Sequence, residues 1–135
     1  MLERMASIRS GIGENMKDRY LFKAKRLDNG EWIVGYLYRL SENNPPFVML
    51  RKYGESYEVD EHTICQCTGL KDKNSRLIWE NDIVKINNSK VNMLITFRDF
   101  EIICTIPNEK YYKHRLEYDT EYEVIGNIFD NPQSY

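Results

Sequence analysis

From Val91 to Ile106 the sequence VNMLITFRDFEIICTI sets Val91, Met93, Ile95 and Phe97 at every second position, breaks at Arg98 and Asp99, then sets Phe100, Ile102, Cys104 and Ile106 at every second position. A period of two marks a strand with one covered face, because successive side chains point to opposite sides of a sheet. Two such runs with a turn between them predict a β-hairpin. A helix would scatter the same residues around its circumference, so this segment commits the chain to sheet structure.

The period of two also governs the region that starts at Tyr20. In YLFKAKR, Tyr20, Phe22 and Ala24 fall on one face; in EWIVGYLY, Trp32, Val34, Tyr36 and Tyr38 do the same. Between them, Asp28 to Gly30 supplies a turn with a residue free to take positive φ. SENNPP, Ser41 to Pro46, continues no regular element because consecutive prolines lack amide donors, and Phe47 to Leu50 follows as a short strand. KYGES is a further turn, and YEVDEHTICQC carries one or two short strands. PNEKYYKHRLEYDT, residues 107–120, is a long loop or one or two helical turns, and EYEVIGNIFDNP closes the chain with a strand and an Asn-Pro stop.

The predicted class is mainly β: small antiparallel barrels, SH3-like, built from short hairpins. Residues 1–18 read differently. Leu2, Met5, Ile8 and Ile12 recur at helical spacing, while Gly11 and Gly13 interrupt any long helix, so this segment is a frayed extension or an arm that docks on another subunit. Residues 19–135 form the β domain, with a division into 19–60 and 61–135.

The charge balance limits the function classes. Net charge is −2, with 19 Lys and Arg against 21 Asp and Glu, so no overall positive field draws the chain to nucleic acid. Three cysteines, with no signal-peptide apolar region and no membrane-length apolar run, predict a cytoplasmic protein with reduced thiols and no disulfide. Ten Tyr and two Trp suit strands, cores and interfaces.

The densest polar chemistry lies in CTGLKDKNSRLIWENDIVKI, Cys67 to Ile86. A phosphate-gripping loop needs several glycines ahead of a helix, whereas TGLKDKNS has only Gly69 and leads into the strand-like LIW. A hairpin turn accounts for it better, with Asp72 accepting from the backbone ahead and Asn74 or Ser75 taking the left-handed position. His62, Cys65, Cys67 and Cys104 are candidate zinc ligands, yet paired Cys-x-x-Cys knuckles are missing and free cysteines usually pack in cores. Neither metal nor cofactor is expected. Glu80 and Asp82 form a nominal acid and base pair with no nucleophile nearby in sequence; Asp82 also reads as the cap of a turn that opens a buried strand.

KDRYLFKAKRLDNGEWIVGYLY, HTICQCTGLKDKNSRLIWENDIVKI and EYEVIGNIFDNP resemble, in order and spacing, the three motif blocks of the YopX family of phage and prophage proteins. The blocks fall at 17–38, 62–86 and 121–132. Where the family usually has glycine, this chain has Ser75 and Asn81, and Cys65 and Cys67 stand outside the family pattern. Thr68, Gly69, Leu70, Asp72, Asn74, Asp82, Gly126 and Asn127 are its motif positions here, read as fold determinants. The resemblance implies a mostly β protein of a phage or prophage acting in the bacterial cytoplasm, and it transfers no catalytic residue.

Three function classes remain. The first is a non-enzymatic accessory protein, homo-oligomeric, that binds a host protein or small signalling ligand, with counter-defence as one such role. The second is an SH3-like nucleic-acid module using Lys17, Arg19, Lys23, Lys25 and Arg26 with Tyr20 and Phe22. The third is a hydrolase or metal enzyme built on Asp82, Glu80 and His62. Residues 17–28 carry five basic and two acidic side chains, but residues 109–130 carry six acidic and three basic ones, which sets nucleic acid below a protein or small-ligand partner.

Overall fold

The computed structural model describes residues 18–39, 47–50, 54–107, 109, 114–117 and 119–135. The expected arm at 1–18 lies outside them apart from Asp18, as does Lys17. The chain is mainly β, with antiparallel strands in two sheets. It divides into two compact units between Cys67 and Thr68.

In the first unit β1 (Phe22–Lys25), β2 (Trp32–Arg39), β3 (Phe47–Leu50) and β4 (Ser56–Glu58) run in the order β4-β3-β2-β1, and the first residues of β5 (Cys65–Lys71) add to β1. The β1–β2 turn is closed by Gly30 N–H donating to the Arg26 carbonyl at 2.9 Å. Gly30 has φ +73°, the conformation for which the DNG turn supplies glycine. Tyr20 precedes β1 in a turn, not in the strand itself.

Register decides which side of this hairpin is covered. Ala24 opposes Ile33 and Phe22 opposes Gly35. Ala24, Ile33 and Val59 form the buried cluster, with Phe22, Leu37, Tyr57 and Ile64 packed against it. A short 3-10 turn, Glu61–Thr63, is capped by the Asp60 side chain, which accepts the His62 N–H at 3.0 Å.

In the second unit β5 continues past Thr68 and pairs with β6 (Leu77–Trp79). Beside it β7 (Asp82–Ile86), β8 (Met93–Arg98), β9 (Glu101–Thr105), β10 (His114–Arg115) and β11 (Tyr122–Asn127) are ordered β10-β9-β8-β7-β11. The core holds Ile78, Val84, Ile95 and Cys104, all fully buried, with Met93, Tyr122 and Val124. Full burial of each aliphatic side chain contributes roughly 1.5–3 kcal/mol.

The β8–β9 hairpin forms with a shifted tip. Asp99 and Phe100 are the two turn residues, with φ +51° and +65°, and Arg98 pairs with Glu101. Phe100 is therefore no core residue: its ring is fully exposed, whereas Ile102, Cys104 and Ile106 do face the core. Ile103, on the opposite side of β9, is buried as well.

Candidate functional site

The motif residues between Thr68 and Asp82 serve the backbone. Gly69 sits inside β5 at φ +81°, and Thr68 spans it: the Thr68 hydroxyl donates to the Ile78 carbonyl at 2.7 Å and accepts the Leu70 N–H at 3.1 Å. Asp72 Oδ1 accepts the N–H groups of Asn74 and Arg76, both at 2.9 Å, and Oδ2 accepts that of Val124 at 3.0 Å. Burial raises the Asp72 pKa, but three backbone donors stabilise the carboxylate and the net shift is downward.

Ser75 takes the left-handed position of the turn at φ +63°, and Asn81 takes that before β7 at φ +71°. Asp82, buried, accepts the Trp79 N–H at 2.8 Å across that turn. Near the C-terminus the register of β11 shifts between Val124 and Gly126. A Cβ on Gly126 would lie 2.4 Å from Asn131 Oδ1, so a larger residue there would displace the Asn131 side chain, whose oxygen accepts the Asn127 N–H at 3.2 Å. The Asn127 side-chain oxygen accepts the Phe129 and Asp130 N–H groups and closes the turn after the strand.

The candidate metal ligands are spread over both units. His62 is exposed, while Cys65 and Cys67 are buried in the first unit. Cys104 belongs to the core of the second, where burial pushes its thiol up to about 12. Among the described residues no three His, Cys, Asp or Glu side chains are grouped to hold a metal ion.

The proposed basic and aromatic set separates by register. Lys23 and Lys25 oppose Val34 and Trp32 on the outward face of the first unit's sheet. Their ammonium groups lie 4.6 and 5.3 Å from the centre of the Trp32 ring. Phe22 points to the other face, into the core. Arg26 pairs with Asp28 at 2.5 Å and stacks on Tyr57 at 4.2 Å, while Arg19 and Tyr20 are exposed in the preceding turn.

What the set omitted is the rest of that outward face. Val34, Tyr36 and Tyr38 are 43%, 47% and 38% exposed, whereas Ile33 and Gly35 between them are buried. Trp32, Val34, Tyr36 and Tyr38 thus form a row along β2, flanked at one end by two lysines. The Tyr38 hydroxyl is 3.2 Å from that of Ser56 on β4, across the sheet. Such a row offers flat, stiff apolar area at small entropic cost, with hydroxyls and ammonium groups at its margin.

Among the described residues no helix is long and apolar enough to cross a membrane. No curated protein matches the chain. The YopX protein family model matches residues 21–134, a span that contains the outward row of β2 and every motif turn described above, and the chain belongs to that family.

Proposed function

We propose that the chain is a non-enzymatic accessory protein of a phage or prophage that acts in the bacterial cytoplasm by binding an acidic surface of a host protein through the outward face of β2. The observation that carries this reading is the exposure of Val34, Tyr36 and Tyr38 in line with Trp32. Aromatic side chains dominate the energetic centres of protein contacts, and Lys23 and Lys25 at the margin favour a partner rich in carboxylates. A counter-defence role and a homo-oligomeric state belong to the same proposal. The five-stranded order of the second unit supports an SH3-like description of that part.

A nucleic-acid reading has one specific support, the two lysines over Trp32, since stacking rings beside cations suit a single strand. The net charge of −2 ranks it second. A hydrolase built on Asp82, Glu80 and His62 has less support, because the Asp82 carboxylate is buried and accepts a backbone N–H.

The test is affinity capture from the bacterial host with the whole chain and with a Trp32→Ala/Tyr36→Ala variant, analysing retained protein and nucleic acid in parallel. The proposal expects an acidic protein retained by the first and lost by the second. Retention of the same species by both contradicts it, and retention of nucleic acid that falls away with added salt transfers support to the second reading.

A further inference from the structure

The second unit contains a polar cleft of about 240 Å³ with no part in the reading above. Lysines from three segments reach it: Lys73 from the β5–β6 turn, Lys85 from β7 and Lys90 from the β7–β8 loop. Two carboxylates, Glu121 and Glu123, line the same space over the buried Tyr122. The charges are unevenly committed. Lys73 Nζ lies 2.5 Å from Glu123 Oε2, and that pair neutralises itself. Lys85 and Lys90, among the described residues, have neither an ion pair nor a side-chain hydrogen bond, and Glu121 has no cationic partner within salt-bridge distance.

The loop that carries Lys90 is tied down by hydrogen bonds. Ser89 N–H donates to the Ile86 carbonyl at 2.8 Å, which closes a turn whose central residues, Asn87 and Asn88, have φ +48° and +63°. Asn87 ties this turn to the segment before β11: its N–H donates to the Glu121 carbonyl at 2.9 Å, and its side-chain oxygen accepts the Glu121 N–H at 3.1 Å. The backbone N–H groups of Asn88 and Lys90 have no acceptor among the described residues. Two ammonium groups and two backbone amides with no protein acceptor thus border one cleft, and an anion bound there would gain charge-assisted hydrogen bonds from them.

Glu121 narrows the ligand class. A bare polyphosphate would bring excess negative charge against that carboxylate. A phosphomonoester has about −1.5 to −2 charges at neutral pH, matching the two free lysines, and an attached amine or hydroxyl gives Glu121 a donor. We propose that this cleft binds a phosphomonoester that also carries an amino or hydroxyl group, its phosphoryl oxygens held by Lys85, Lys90 and the Asn88 amide, its amine or hydroxyl by Glu121. This site is independent of the row on β2, and either can fail without the other.

The test is amide-resolved NMR of the whole chain titrated with phosphoethanolamine, inorganic phosphate and pyrophosphate, with vesicles containing phosphatidic acid as a separate arm. Phosphoethanolamine is expected to shift the Asn88, Lys90 and Glu121 amides saturably and to bind more tightly than either inorganic anion. Lys85→Ala/Lys90→Ala, both at the surface, is expected to weaken it by about tenfold or more with the remaining spectrum unchanged. Glu121→Gln is expected to remove the preference over inorganic phosphate while keeping the response at Asn88. Absence of saturable shifts at millimolar concentration overturns the proposal, as do equal shifts in the double variant. Binding to the vesicles without any response to the soluble ester overturns it in favour of a lipid headgroup.

Discussion

The carboxylate of Asp72 accepts the backbone N–H of Val124 at 3.0 Å, joining residues 52 positions apart. Val124 lies in β11, the edge of the five-stranded sheet beyond β7. On the same side Lys73 N–H donates to the Tyr122 carbonyl at 2.8 Å. The β5–β6 turn therefore covers the hydrogen-bonding edge that β11 would otherwise leave open, which protects the sheet from pairing with a stray strand.

Replacing Asp72 with Ala removes the acceptor of three backbone donors at once. Hydrogen bonds to charged groups contribute about 1.5–3 kcal/mol each and are not additive, so a loss of about 3 kcal/mol is expected. Urea denaturation followed by Trp79 fluorescence in an otherwise tryptophan-free Trp32→Phe background reads it. A loss below about 0.5 kcal/mol would show that the edge is held by other contacts.

The same carboxylate makes stability depend on acid pH. Its pKa is lower in the folded than in the unfolded chain, because three N–H donors outweigh the effect of burial. Its contribution is thus fully present above the unfolded value, near 3.8, and is lost as pH falls through the lower folded value. Denaturation midpoints measured downward from pH 6 are expected to decline more steeply for the natural chain than for Asp72→Asn.

Ser75 has φ +63° where glycine would be unstrained. Ser75→Gly relieves that strain but adds freedom to the unfolded chain, for a net gain of up to about 1 kcal/mol. Asn81→Gly gains less, since Asn tolerates φ +71° better than Ser tolerates its own angle. Thermal melting of the two variants checks the order.

Cys65, Cys67 and Cys104 are all buried, and burial pushes the Cys104 thiol up to about 12. At pH 8 Cys104 is then a protonated thiol screened from reagents. Labelling of Cys104 by iodoacetamide is expected to follow unfolding across a urea series; rapid labelling of the native chain would contradict its place in the core.

Much of the fold is legible in the alternation of the sequence, because hairpins need only a period of two and a turn residue between the runs. The turn residue is legible at Gly30, and the second left-handed position is narrowed to Asn74 or Ser75, of which Ser75 takes it. Alternation defines two faces, however, and does not say which one is covered. The row Trp32, Val34, Tyr36, Tyr38 is the more aromatic, yet Lys23 and Lys25 lie opposite it, and ammonium groups cannot be buried without partners. That is the signal by which the face could have been assigned. Phe100 misled for a related reason, as the hairpin tip fell one residue later than its polar pair suggested. The cleft was not legible because its walls come from residues 73, 85, 87–90 and 121–123, which only the fold brings together.

The outward face of β2 is the proposed binding surface for a partner protein. The most direct measurement replaces Tyr36 with the photo-crosslinker p-benzoylphenylalanine and compares it in the host with the same replacement at Leu27, exposed in the β1–β2 turn of the same unit. A discrete protein adduct is expected from position 36 and not from position 27. Adducts of equal yield from both positions, or none from position 36, would contradict it.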